Sequence, residues 1–142
     1  MRALTAENRT SQNESAAVKQ VKKILVVDDD SSVLQMLTRA LTAYDLMIAR
    51  DGAEALLLAG LQPNLDLLIT DYLMPEMTGD ELIARMREQR PHLKALVITG
   101  HSDLLDRESP EWWLAEEHLA KPFRIQTLRD KVESLLASNG RR

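Results

Sequence analysis

From Lys23 onward the chain alternates short apolar runs with longer stretches of helical period. Lys23-Ile24-Leu25-Val26-Val27 is almost continuously apolar, the pattern of a strand covered on both faces, and it ends abruptly in Asp28-Asp29-Asp30. Val33, Leu34, Leu37 and Leu41 then recur at helical spacing, with Ser31 or Ser32 able to cap a helix that runs to about Ala43. A second strand, Leu46 to Ala49, leads through Asp51-Gly52 into an Ala/Leu helix that Gly60 and Pro63 terminate. The third strand, Leu67 to Thr70, delivers Asp71. A loop bracketed by Pro75 and Gly79 precedes a helix over Glu81 to Gln89, with Leu82, Ile83 and Met86 inward. The fourth strand, Ala95 to Ile98, delivers Thr99. Residues 100–117 give the weakest pattern, because Pro110 can either start a helix or kink one. A last strand near His118 to Ala120 delivers Lys121-Pro122-Phe123, and Leu128, Val132, Leu135 and Leu136 mark a closing helix. Strands that alternate with helices predict an α/β fold, a parallel sheet with helices on both faces.

The ends differ from this body. Residues 1–21 hold no aromatic and no apolar period, which predicts a flexible tail, and residues 139–142 are expected to fray. One domain is the expectation for 142 residues. A net charge of −4 without a basic run disfavours direct binding of nucleic acid. Cysteine is absent, which excludes thiol nucleophiles, disulfides and thiolate metal sites. No signal-like or membrane-spanning apolar stretch occurs, so a cytoplasmic protein is the default expectation. The sequons at Asn8 and Asn13 are chance matches on that expectation.

The candidate chemistry sits at equivalent places: Asp28 and Asp29 after the first strand, Asp71 after the third, Thr99 after the fourth and Lys121 after the fifth. In an open parallel sheet the carboxyl ends of the strands share one edge, where a topological switch point forms the ligand crevice, so all five should converge. The spacings leave room for two βα units between Asp29 and Asp71 and for one in each later interval. Three carboxylates in one crevice repel one another unless a cation lies among them, and hard oxygen donors suit Mg²⁺. Asp71, held centrally, is then a nucleophile toward phosphorus, with Lys121 as the neutralising ammonium. Thr99 offers a hydroxyl able to follow an incoming phosphate oxygen.

The segments ILVVDDD (24–30), DYLMPEMTGDEL (71–82), ALVITG (95–100) and LAKPF (119–123) resemble those of the receiver domains of two-component signalling, over about residues 22–138. The resemblance implies a doubly wound, flavodoxin-like sheet of order 2-1-3-4-5. It implies a Mg²⁺ site that includes Asp28 and Asp29 with Asp71, phosphorylation at Asp71, a switch hydroxyl at Thr99, a phosphate-binding Lys121 and a cis Lys121-Pro122 bond. The implied donor is a histidine kinase or a histidine phosphotransfer protein. No output domain follows Lys121, so the response is expected to pass by contact with a downstream protein, from a monomer or weak dimer. Met1 and the tail favour a stand-alone regulator, while ALVITGH and KPF also resemble receivers joined to hybrid kinases.

The chain departs from the pattern at His118, where the family places a switch aromatic. A histidine stacks less well than a tyrosine, and a half-buried edge-strand residue is the plainer expectation. Leu73 and His101 stand where similar proteins tune hydrolysis of the aspartyl phosphate, and an apolar Leu73 predicts slow dephosphorylation. Of the adjacent Trp112 and Trp113, one is expected in the core and its neighbour half-exposed, with a partner-docking anchor as the functional reading. Asp30 fits a helix N-terminus better than a third metal contact after the first strand, and His92 belongs to a surface loop. A haloacid-dehalogenase-type phosphatase with Asp28 as nucleophile is the competing enzyme. It needs a further acidic pair, for which only Asp130 and Glu133 remain, and it leaves Asp71 unused. An unphosphorylated docking module is the third class, against which the intact acidic residues, Thr99 and Lys121 argue.

Overall fold

The structure, a computed structural model, describes residues 21–137. The expected N-terminal tail (save residue 21) and frayed C-terminus lie outside the described residues. Five parallel strands, β1 (Lys23–Val27), β2 (Asp45–Ala49), β3 (Leu67–Asp71), β4 (Lys94–Thr99) and β5 (Glu117–Ala120), form one sheet in the order β2-β1-β3-β4-β5. Six helices connect and close it: α1 (Ser31–Ala40), α2 (Gly52–Gly60), α3 (Gly79–Gln89), α4 (Ser102–Glu108), α5 (Glu111–Ala115) and α6 (Ile125–Ala137). This is the doubly wound, flavodoxin-like order that the motifs imply.

Successive strand residues point to opposite faces, so a strand buried on both must be apolar throughout. Ile24 and Val26 of β1, Leu67 and Ile69 of β3, and Leu96 and Ile98 of β4 pack with Leu34 and Leu37 of α1 and Leu128 and Val132 of α6. Leu25 and Val27, Leu68, and Ala95 and Val97 pack on the other face with Ala55 and Ala59 of α2, Leu82 and Met86 of α3, Leu105 of α4 and Trp113 of α5. Each fully buried Leu or Ile contributes roughly 1.5–3 kcal/mol. The layers therefore fix the sheet edge on which the polar residues stand.

Register aligns that edge. Val27 pairs with Thr70, Asp71 with Ile98 and Thr99 with Ala120, so the residues that follow β1 and end β3 and β4 come level. Local chemistry moves several expected boundaries. Asp30, not Ser31 or Ser32, caps α1: its extended backbone lets the side chain accept from Ser32 N at 2.9 Å and from Ser32 Oγ at 2.7 Å. α1 stops at Ala40, three residues short of expectation, where the Leu41 N–H closes on Leu37 O. α3 starts at Gly79 rather than Glu81, because Thr78 and Glu81 form a capping box. The segment that gave the weakest pattern holds two short helices. Ser109, in the left-handed region at φ 46°, ends α4, and Pro110 leads into α5.

Candidate functional site

Asp28 follows β1 and is buried, whereas its neighbour Asp29 is exposed. The Asp30 N–H donates to Asp28 Oδ1 at 2.9 Å, which fixes the carboxylate plane and leaves Oδ2 to face the crevice. Asp71 ends β3 with a side chain only 11% exposed, and its Oδ1 accepts from Tyr72 N at 2.8 Å. Lys121 reaches both: its Nζ lies 3.0 Å from Asp28 Oδ2 and 3.5 Å from Asp71 Oδ2. One carboxylate oxygen from each of Asp28, Asp29 and Asp71 lies within 4.8 Å of the others. Among the described residues this is the one group of acidic, histidine or cysteine side chains close enough to hold a metal.

The loop after β3 is pulled back onto the acceptor strand. Gly79 N donates to Tyr72 O at 2.7 Å, and a Cβ at position 79 would collide with the Asp71 carbonyl oxygen. Only glycine permits so close a backbone approach. On the opposite flank Lys121 N donates to Thr99 O at 2.9 Å, tying β5 to the end of β4, and the Lys121–Pro122 peptide is cis. Thr99 is fully buried, and its Oγ1 accepts from His101 N at 3.0 Å.

Burial raises the Asp71 carboxyl above its ordinary value, and the Asp28 charge raises it further, against the opposing pull of Lys121 and the Tyr72 N–H. Burial also works against the Lys121 charge. The hydrogen bond that Lys121 donates to Asp28 and the charges of Asp71 and Asp28 outweigh it, and the ammonium is held above its usual range. The crevice thus carries more negative charge than one lysine balances, on hard oxygen atoms, which is a donor set suited to a divalent cation such as Mg²⁺.

Asp28, Asp29, Asp71 and Lys121 come together as expected, with Thr99 joined to Lys121 through the backbone. Asp30 stays out of the acidic cluster and serves the helix, its carboxyl lowered by the hydrogen bonds from Ser32. Leu73 is 46% exposed and His101 is exposed. Trp113 is 1% exposed while Trp112 is half-buried, the expected division. His118 is half-buried and stacks face-on with Trp113, ring centroids 3.5 Å apart. Sequence reasoning missed Tyr72, whose ring stacks on Trp112 at 5.1 Å, and Asp106, which accepts from Trp113 Nε1 at 2.9 Å. An aromatic residue directly after the acceptor was the available signal for Tyr72; nothing local marked Asp106. The competing phosphatase lacks its acidic pair: Asp130 and Glu133 are exposed on α6, where Asp130 accepts from Gln126.

The family model for the response regulator receiver domain matches residues 24–133. The response regulator MprA of Mycobacterium avium (strain 104) is 35% identical over 117 residues, which cover 80% of this chain and 50% of that protein. The chain therefore spans about half the length of such curated relatives. Among solved structures, the Vibrio cholerae chemotaxis protein CheY4 superposes with a TM-score of 0.74 at 31% identity, covering 82% of this chain and 100% of that one. The signal receiver domain of an HD domain-containing protein from Pseudomonas fluorescens Pf-5 gives 0.75 at 32%, covering 84% and 90%. With its strand order, its crevice and these likenesses, the chain belongs to the response regulator receiver domains, the phosphoacceptor modules of two-component signalling.

Proposed function

We propose that Asp71 is the phosphoacceptor and that its donor is a phosphohistidine on a histidine kinase or phosphotransfer protein in the cytoplasm. The carrying observation is the convergence of Asp28, Asp71 and Lys121 within hydrogen-bonding and ion-pair range on the edge where β1, β3 and β5 end. With one oxygen tied to Tyr72 N, Asp71 directs Oδ2 outward as the nucleophile. Attack of Oδ2 on phosphorus forms the P–O bond as the P–N bond breaks, and the leaving imidazole nitrogen keeps the bonding pair and takes a proton. A Mg²⁺ bound by Asp28, Asp29 and Asp71 would supply the charge neutralisation that phosphoryl transfer requires.

Lys121 supplies the second positive charge, and its distances to Asp28 and Asp71 leave it free to follow a phosphoryl oxygen. The Thr99 hydroxyl, which now only accepts from His101 N, retains its proton for donation to that oxygen, and such a move would carry the loop after β4. Leu73 offers no group that orients water, which supports slow hydrolysis of the acyl phosphate, with His101 as the neighbouring modulator. The signal then passes by protein contact, from a monomer or weak dimer.

The test is labelling with radioactive acetyl phosphate and Mg²⁺. The wild-type chain should take up one hydroxylamine-sensitive label, Asp71→Asn none, and Asp28→Asn much less at limiting Mg²⁺. Undiminished labelling of Asp71→Asn, or continuous phosphate release that Asp28→Asn alone abolishes, would overturn the assignment in favour of a phosphatase.

A further inference from the structure

We propose that four aromatic rings, Tyr72, Trp112, Trp113 and His118, form a mechanical relay that carries the state of Asp71 to the exposed surface of α5, in place of a swinging aromatic on β5. The inference rests on the acceptor role of Asp71. The rings follow one another at centroid distances of 5.1 Å (stacked, 29° between planes), 5.7 Å (edge-on, 78°) and 3.5 Å (stacked, 13°). The first two contacts have the stacked and edge-on geometries that aromatic pairs favour, and the third is a closer, face-to-face stack.

Both ends of this series are tied to the crevice. The Tyr72 N–H donates to Asp71 Oδ1, so a change in charge or position of that carboxylate acts on the residue that carries the first ring. At the other end His118 lies on β5, whose continuation is Lys121, the partner of Asp28 and Asp71. The rings thus close a circuit from β3 to β5 outside the sheet. His118 is not available to swing toward Thr99: Trp113, fully buried, covers its face, and Trp113 is itself pinned by the hydrogen bond from Nε1 to Asp106.

α5 is a short segment anchored at both ends. It has five residues, and it hangs between the left-handed Ser109 with Pro110 on one side and Glu116 on the other. Glu116 is clamped by a two-pronged ion pair from Arg87 of α3, at 2.5 and 3.1 Å. Between these fixed points the half-buried Trp112 takes any displacement of Tyr72, and Leu114 on the same short helix, 70% exposed, presents it at the surface. The fully buried Trp113 sits in close-packed interior with little free volume, so a shift of Trp112 against it is passed on.

The chain has two tryptophans, both in the series. Trp112→Phe keeps a ring in the gap and leaves Trp113 as sole reporter; Trp112→Ala removes the ring and leaves the same reporter. Beryllium fluoride with Mg²⁺ serves as the phosphoryl mimic, and fluorine NMR reads its binding independently. The expected result is a shift in Trp113 emission on binding in Trp112→Phe, lost in Trp112→Ala although both bind the mimic. Trp112→Leu, which keeps bulk without a ring, should behave as Trp112→Ala and guards against a folding defect. Equal emission shifts in the Phe, Ala and Leu variants, or bound fluoride with static Trp113 emission in Trp112→Phe, overturns the relay and spares the acceptor assignment. Absence of bound fluoride in the wild type overturns both.

Discussion

The acceptor crevice and the segment from Ser102 to Ala115 stand side by side in this domain and are held by different forces. In the crevice, position comes from the backbone: strand ends in fixed register deliver Asp28, Asp71 and Thr99, and charge then organises Lys121 among them. In α4 and α5, position comes from side chains, because helices of seven and five residues cannot sustain themselves and depend on Leu105, Trp113 and the Asp106 bond. A site that must keep its geometry through repeated chemistry is built on the rigid element, and the part that reports the change is built on the softer one.

Removing the largest side chain of the softer region tests this division first. Trp113→Ala should cost about 3–5 kcal/mol, the usual range for a buried tryptophan. Urea unfolding would measure it, and Trp112→Ala, at a half-buried position, should lose clearly less. Equal losses at the two positions would mean that α5 is held by its backbone and ion pair, and the contrast with the crevice would fail.

The corresponding break in the rigid region is Gly79→Ala. The new Cβ meets the Asp71 carbonyl and the Tyr72 backbone, which cannot rotate away as a side-chain end can. Overpacking of this kind costs about 1–3 kcal/mol. The urea midpoint should fall, and labelling by acetyl phosphate should slow with it, since the displaced atoms belong to the acceptor strand. An unchanged midpoint with normal labelling would show slack in a loop that the geometry describes as tight.

The same division explains what the amino-acid sequence disclosed. Apolar runs that end in Asp28, Asp71 or Thr99 mark strand ends without ambiguity, and parallel pairing then brings the ends together whatever the details of the helices. Asp29 follows by one-residue adjacency to Asp28, and Lys121 by following the last strand. The rings of Tyr72 and of Trp112 and His118 come from two distant parts of the chain, and no period links them. α4 and α5 are too short for a helical period to declare itself, and the left-handed Ser109 between them carries no glycine to announce it. The sequence places Asp30 at the helix N-terminus but leaves the cap open to Ser31 or Ser32, because all three are good caps and only the extended backbone at Asp30 decides among them.

The smallest effect belongs to His118, which joins the two regions. Burial lowers its pKa, with Lys131 of α6 acting in the same sense and Asp106 and Glu117 opposing. The unfolded chain therefore binds this proton more readily than the fold, so His118 contributes full stability above about pH 6.5 and loses it as the pH falls below that value. Wild-type urea midpoints should decline from about pH 8 toward pH 5, the range in which histidine titrates. His118→Asn, which cannot titrate, should flatten that part of the profile while leaving the acidic limb set by the carboxylates. A profile as steep as the wild type would mean that protonation leaves the Trp113 stack intact and that the imidazolium finds its compensation at Asp106.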